Sequence, residues 1–372
     1  MAGMNEAARE ALAVRLPDAG SIWTGEEDDV LVCRAVREET RDVKTFVLAP
    51  RQPHRFVYQP GQFLTFEFEI DGATVNRCYT ISSAPTRPNV VSITVKRVAG
   101  GPVSNWLHDN LKPGSTVKAV GPIGVFSCFE HPGSKYLFLS GGSGITPVMS
   151  MARTFHDLAE PRDIAFVHAA RTPADIIFRS ELELMARQAP NFRFAAICEA
   201  DSPGEAWCGF RGRLNLPMLE LIAADWRERE VFVCGPAPFM AAIRTMLSGA
   251  GFDMTHHHEE SFDFATLSGA EREAVIEAEA VAPAGKVYRV EFAKTRRVIE
   301  CPEGMPVLEA ARRAGIRLPS SCTKGLCGTC KSKLVSGTVD LEHQGGIRQR
   351  EIDAGMTLLC CAKPTSNLVV DR

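Results

Sequence analysis

Nothing in this 372-residue chain approaches the ~18 consecutive apolar residues that span a bilayer, so no membrane-crossing helix is predicted. Net charge is equally scarce. The 42 Lys and Arg nearly balance the 45 Asp and Glu, and the resulting −3 argues against a protein that coats nucleic acid. The opening MAGMNEAAREALAVRL lacks the basic-then-apolar order of a secretory signal, because Glu6, Arg9, Glu10 and Arg15 are mixed into its apolar residues. A cytoplasmic protein is therefore expected. In a reducing compartment the 12 cysteines are poorly explained as disulfides, and clustered ones read better as ligands of a metal or cluster. No internal repeat is visible, and residues 1–28 carry no usable signal.

Apolar residues make up 45% of the chain and charged ones 23%, enough for real cores, and the length suits two or three domains of ~100 to 200 residues each. Between about residues 30 and 130, short alternating runs such as KTFVLA, QFLTFEFEI and VVSITVKRV are separated by Pro and Gly, which predicts an antiparallel β-barrel or sandwich. From residue 135 apolar strands alternate with helical stretches: KYLFLSGGSG then ITPVMSMARTFHDLA, IAFVHAAR then SELELMARQA, and REVFVCGP then APFMAAIRTMLSGAG. That alternation predicts a parallel sheet with crossover helices. Residues 263–284 hold five acids, one Arg and many alanines without a strand pattern, and read as a linker. Beyond them, KVYRVEFAKTRRVIECPEG supplies two strands, PVLEAARRAG a short helix stopped by Gly315, and a cysteine loop follows. The expected division is an extension at 1–28, a barrel at 29–131, a parallel-sheet unit at 132–262, a linker at 263–284 and a third unit at 285–372.

The cysteine loop, SCTKGLCGTC, has the spacing Cys322-x4-Cys327-x2-Cys330, with 29 residues between Cys330 and Cys360. Plant-type [2Fe-2S] clusters use this spacing, and Gly325 and Gly328 let the loop wrap closely around inorganic sulfur. Structural zinc favours paired CxxC or Cys/His knuckles, and no matching second pair is present. Spacing alone leaves Cys360 and its neighbour Cys361 both open as the fourth ligand. Residues 285–372 resemble the plant-type ferredoxins, with helix, loop and final cysteine in the same order. The resemblance implies an α+β β-grasp fold. It also aligns LLCCAKP with the family's closing Leu-Thr-Cys-x-Ala-x-Pro segment, which implies Cys322, Cys327, Cys330 and Cys360 as ligands and leaves Cys361 as a small buried apolar residue.

Such a cluster takes one electron at a time, whereas nicotinamide cofactors deliver two as hydride, so a flavin is needed between them. RCYTISS places Arg77 and Tyr79 on one face of a strand, followed by Thr80. RVAGGPVSNWLHDN then opens a helix with glycines, a place for a pyrophosphate on exposed backbone N–H groups. LFLSGGSGITPVMSM is a strand, a glycine turn and a helix start, and VFVCGPAPFM and EESF follow later. Together these segments resemble the ferredoxin-NADP reductase superfamily. The resemblance implies FAD on the barrel, with Arg77 pairing a phosphate, Tyr79 covering the isoalloxazine and Thr80 near N5. Ser82, Lys96, Gly101, Val103 and Ser104 complete that set. It implies the nicotinamide nucleotide on Gly141, Gly142, Gly144, Thr146, Pro147, Arg171, Cys234, Gly235 and Pro236, with Thr80, Cys234 and Phe262 at the reacting centre. HAARTPADIIFRSEL carries only Arg171 and Arg179 where a 2′-phosphate would want a cluster of cations, and it is similar to the NADH-using branch, so NADH is the expected donor. Three consecutive histidines, His256 to His258, cannot all face one metal on regular backbone, and a solvated loop is expected there.

The order flavin barrel, nucleotide unit, ferredoxin resembles the reductase components of Rieske-type oxygenases and the NADH reductases of hybrid-cluster proteins. Within that group, TISSAPTRPNVVSITVKRVAGGPVSNWLHDNL, HEESF and REVFVCGP look most like reductases serving demethylases of glycine betaine and related quaternary amines. The implied partner is a Rieske-type terminal oxygenase, with a hybrid-cluster protein as the alternative acceptor. No nucleic-acid or membrane partner is implied. Residues 285–372 carry 15 Lys and Arg against 9 Asp and Glu, a surplus of +6 in an acidic chain. Electrostatic docking of this unit, on the acidic linker side and on an acidic partner, is therefore expected.

Overall fold

The computed structural model describes residues 21–25, 28–70, 72–261, 286–316, 318, 323, 325, 328 and 330–372. Six antiparallel strands form the first unit: β1 (Val30–Thr40), β2 (Val43–Pro50), β3 (Phe63–Ile70), β4 (Ala73–Thr80), β5 (Val91–Lys96) and β6 (Thr116–Ile123). Their order is β4-β3-β6-β1-β2-β5, and a bridge between Ile81 and Ile93 joins the two edges, which closes the sheet into a barrel. Alternation explains why β3 folds this way: Leu64, Phe66 and Phe68 point into the core while Glu67 and Glu69 face outward. Leu31, Phe46 and Phe66 are fully buried, and each such side chain contributes roughly 1.5–3 kcal/mol. Helix α1 (Pro102–Asn110) crosses after β5, starting on a proline suited to a first helical turn.

The second unit is a parallel sheet ordered β10-β9-β8-β7-β11-β12, built from β7 (Lys135–Gly141), β8 (Asp163–Ala170), β9 (Phe192–Cys198), β10 (Phe210–Arg211), β11 (Glu230–Gly235) and β12 (His257–Ser261). Both faces are covered, so β7 is almost wholly buried. Tyr136 and Phe138 pack with α2 (Ile145–Asp157) and α3 (Arg179–Gln188); Leu137 and Leu139 pack with α4 (Leu216–Ile222) and α5 (Ala237–Gly249) on the other side. The chain runs outward from β7 to β10 and then returns to place β11 beside β7. Ligands of such sheets bind outside the strand ends at this reversal.

A polar seam fixes the barrel against α2. Arg87 grips Asp157 through Nε at 2.9 Å and Nη2 at 2.7 Å, and Ser150 Oγ donates to the Ser83 carbonyl at 2.6 Å. The buried Arg153 donates to the Ser82 carbonyl at 2.5 Å and forks onto Glu181 at 2.8 and 2.6 Å. A fork of this kind matches a planar carboxylate and restricts how the two units turn against each other.

The third unit is a mixed five-stranded sheet, β14-β13-β19-β15-β17, with a two-stranded ribbon β16-β18. Its elements are β13 (Val287–Phe292), β14 (Arg297–Pro302), α6 (Val307–Arg313), β15 (Lys331–Ser336), β16 (Val339–Leu341), α7 (Gln349–Asp353), β17 (Met356–Leu358), β18 (Ala362–Pro364) and β19 (Leu368–Val370). Val290, Phe292, Leu308, Ala311 and Leu358 form its core. The expected linker lies outside the described residues. No helix among the described residues is long and apolar enough to cross a membrane.

The histidine run departs from expectation. His257 and His258 belong to edge strand β12 rather than a solvated loop, and their side chains are largely buried. Glu230 is the reason: its carboxylate bonds His256 Nδ1 at 2.7 Å and His258 Nε2 at 2.8 Å, while His131 stacks on His258 with centroids 3.7 Å apart.

Candidate functional site

Two cavities meet at Lys96. The first, about 340 Å³, lies between β4, the start of α1 and the turn after β7. Arg77, Tyr79 and Thr80 line it from the strand; Gly101, Val103 and Ser104 line it from the helix start, and Thr146 closes the far side. Tyr79 packs on Phe66 with ring centroids 6.0 Å apart, and burial pushes its phenol well above the ordinary range, so it stays protonated. Ser104 Oγ accepts from the Val98 N–H at 3.1 Å and donates to the Gly101 carbonyl at 3.3 Å, which folds the glycine turn back on the helix. No side chain caps α1, so its first amides remain for an anion. The donor set and apolar wall fit a flavin dinucleotide.

The second cavity, about 330 Å³, opens at the sheet's reversal and is lined by Gly141, Gly142, Arg171 and Pro236. Gly144 lies just behind, where a β-carbon would overlap the Cys234 carbonyl. Only glycine lets the turn after β7 lie so close to β11. The ring of Phe239 covers Gly141 and Gly235 in the same way. Such backbone approach fits a nucleotide pyrophosphate.

Several expected residues do not reach these cavities with their side chains. Ser82 is fully buried, its hydroxyl bonded to Thr94 Oγ1 at 2.9 Å. Pro147 is buried in the first turn of α2. Cys234 is fully buried among Phe126, Phe138, Ile145 and Phe232, and burial raises its thiol well above the ordinary range. Arg171 lines the cavity with its charge already matched, Nη2 lying 2.9 Å from Asp175 and 3.2 Å from Asp42. Arg179 turns away to Glu183 and Glu205. Phe262, Cys322 and Cys327 lie outside the described residues.

Sequence reasoning missed Asp42, Glu199 and Arg213, which also line the second cavity. Glu199 directly follows β9, whose FRFAAIC run is the signal that could have located it. Burial acts to raise the Asp42 carboxyl, but Lys96, the Thr40 hydroxyl and Arg171 outweigh it and hold it below its ordinary value. Glu260 was also missed; its Oε2 is buried without a hydrogen-bond partner, although part of the residue reaches the surface.

In the third unit Cys330 and Cys360 come together. Cys330 and Cys360 are buried, the Gly325 N–H donates to Cys360 Sγ at 3.3 Å, and the Cys360 N–H donates to Cys330 Sγ at 3.4 Å. Amides aimed at sulfur favour the thiolate form that a cluster needs. Gly325 and Gly328 take the left-handed φ values +71° and +68°, which suit glycine. Cys361 is half-buried rather than a core residue, with its thiol 3.7 Å from the Leu358 carbonyl. Gly328 meets the barrel: Asn76 Nδ2, one residue before Arg77, donates to the Gly328 carbonyl at 3.3 Å.

A flavin cradle, a nucleotide cleft at a sheet reversal and a cysteine loop in one chain define an electron-transferring oxidoreductase. Residues 32–128 match the oxidoreductase FAD-binding domain family, residues 138–245 the oxidoreductase NAD-binding domain family, and residues 290–365 the 2Fe-2S iron-sulfur cluster binding domain family. The chain is 48% identical over 343 residues to the glycine betaine monooxygenase reductase subunit of Pseudomonas aeruginosa, covering 91% of this chain and 94% of that one. It is 40% identical to the stachydrine N-demethylase reductase subunit of Rhizobium meliloti, covering 94% and 98%. Among solved structures, phthalate dioxygenase reductase shares the fold with a TM-score of 0.56 and 24% identity, over 94% of this chain and all of that one. The protein belongs to the family of FAD- and NAD-binding reductases with a 2Fe-2S domain that includes the glycine betaine monooxygenase reductase subunits.

Proposed function

We propose that the protein takes hydride from NADH onto FAD and passes electrons singly through its [2Fe-2S] cluster to a Rieske-type terminal oxygenase that demethylates glycine betaine or a related quaternary amine. The observation that carries this reading is the hydrogen bond from Asn76 of β4 to Gly328, between the cysteines of the cluster motif. The names of the two relatives support the acceptor and its substrate class. Reaction in the cytoplasm, and the division into 29–131, 132–262 and 285–372 around a linker at 263–284, belong to the same proposal.

FAD supplies the change from hydride to single electrons, and the cluster supplies a one-electron exit. Within this reading Arg77 pairs a flavin phosphate, Tyr79 shields the ring system from water and Thr80 hydrogen-bonds at its edge. Lys96 and the α1 amides around Gly101, Val103 and Ser104 hold the phosphates. Gly141, Gly142 and Gly144 give the nicotinamide dinucleotide close backbone contact, Thr146 and Pro147 shape the helix start, and Cys234, Gly235 and Pro236 form the floor. Ser82 acts through the barrel wall, and Phe262 is assigned to the flavin edge. Cys322, Cys327, Cys330 and Cys360 hold the cluster. NADH is preferred because Arg171 is neutralised by Asp42 and Asp175, and because Glu199 adds a carboxylate where NADPH would bring a phosphate.

The test combines the purified reductase with a glycine-betaine-type oxygenase component and follows formaldehyde release with NADH and, in parallel, NADPH. Release with NADH is expected. Intact flavin and cluster reduction without any release would redirect the search to another acceptor.

A further inference from the structure

The geometry points to Asp29 as the residue that seats the ferredoxin unit on the flavin barrel for the internal electron step, an inference that rests on the electron path proposed above. Asp29 immediately precedes β1, and its Oδ2 accepts from Arg348 Nη1 at 3.0 Å and from Arg350 Nη2 at 3.1 Å, across more than 300 residues of chain. Arg348 also donates to the Ala119 carbonyl of β6 at 2.9 Å. This arginine is pre-set by its own unit. Its backbone N–H donates to Glu351 at 2.9 Å, and Glu351 is anchored by Lys331 at 2.7 Å. With only 6% of the Arg348 side chain exposed, the carboxylate that its guanidinium bonds directly is Asp29.

The junction is polar enough to open. A cavity of about 150 Å³ lies within it, between Asp29, Asn76, Lys118, Lys331 and Arg348, and Arg348 Nε is buried beside it without a protein partner. Polar space of this size accommodates water, and interfaces of this character resemble transient ones. What the latch positions is the cluster loop, because Gly328 lies between Cys327 and Cys330 and meets Asn76 of β4. Each NADH yields NAD⁺, one proton released to solvent and two electrons. With flavin and cluster bound, the seated unit would accept one electron at a time and pass it to the acceptor before accepting the second. Asp29 is thus a positioning residue, remote from the hydride.

The experiment compares wild type, Asp29→Asn, Asp29→Glu and Arg350→Gln, each with verified flavin and cluster content, in anaerobic stopped flow that follows flavin and cluster reduction separately. Asp29→Asn is expected to leave flavin reduction unchanged and to slow cluster reduction by about tenfold or more, with Arg350→Gln intermediate and Asp29→Glu close to wild type. Small-angle scattering of the same proteins should show a larger radius of gyration for Asp29→Asn. Wild-type cluster reduction in Asp29→Asn, or unchanged scattering, overturns the assignment. If NADH fails to reduce the flavin even in wild type, the hydride reading falls instead, and photoreduction of the flavin still decides the role of Asp29.

Discussion

Glu260 is the parallel-strand partner of Cys234, the two lying side by side where β12 joins β11. Burial pushes the Glu260 carboxyl up from 4.5 to about 8, and burial followed by the Glu260 charge raises the Cys234 thiol. Both shifts favour the uncharged forms. Because the folded pKa lies above the unfolded one, Glu260 contributes stability that is complete below 4.5 and is lost as pH rises through about 8. A calorimetric pH series should therefore show the melting temperature falling over that window, and Glu260→Gln should flatten the fall. Identical slopes in both proteins would mean that the carboxyl is already ionised.

Glu199 lies 3.5 Å from Arg213 at the cleft, and the proposed preference for NADH makes this pair the place to test donor choice. Removing the carboxylate takes away repulsion against a 2′-phosphate and leaves a cation to meet it. Glu199→Gln is expected to raise the NADPH-to-NADH ratio of kcat/KM by about tenfold, the size of a modest charge interaction in a partly exposed site. Steady-state kinetics with both donors decides this, and an unchanged ratio would remove Glu199 from the selectivity argument.

The barrel was legible in the sequence because its strands are half-buried, so QFLTFEFEI and VVSITVKRV alternate visibly. The parallel sheet was legible where strand and helix abut, as in KYLFLSGGSGITPVMSM. It was missed where FRFAAIC forms β9, a short apolar run whose period does not separate strand from helix. The glycine turns were readable because close approach admits only glycine, whereas the burial of Ser82 and Cys234 depends on packing between strands far apart in sequence. The Asp29–Arg348 contact had no local signal at all. Charge counting singled out a basic third unit and gave it the acidic linker, which lies outside the described residues, as its internal docking side; among the described residues its ion pairs to the barrel converge on Asp29.

The adjacent cysteines can be told apart by one spectrum each. Cys360 Sγ receives the Gly325 N–H, and its own amide points at Cys330 Sγ, whereas the Cys361 thiol faces the Leu358 carbonyl. Cys360→Ser should lose most of the cluster's visible absorption and its reduced-state paramagnetic signal, while flavin absorption and reduction of the flavin by NADH persist. Cys361→Ser should retain the cluster at near wild-type occupancy. The reverse pattern would assign the fourth ligand to Cys361.

His168 is expected to cost stability as pH falls, the opposite direction to Glu260. It sits fully buried on β8, Nδ1 2.9 Å from Ser140 Oγ and Nε2 without a partner, and burial lowers its pKa from 6.5 to about 3. A base with a depressed folded pKa contributes stability that is present above 6.5 and is lost as pH falls toward 3. Unfolding the sheet lets the imidazole take up a proton that the core refuses. His168→Asn should therefore melt at a lower temperature than wild type at neutral pH, through imperfect packing, yet lose less with each step of acidification. A melting curve series from neutral to acid pH checks this, and parallel declines in the two proteins would show that other groups carry the acid transition. Combined with Glu260→Gln, the two effects should add, because one acts through the interior pair β7–β8 and the other through the edge pair β11–β12.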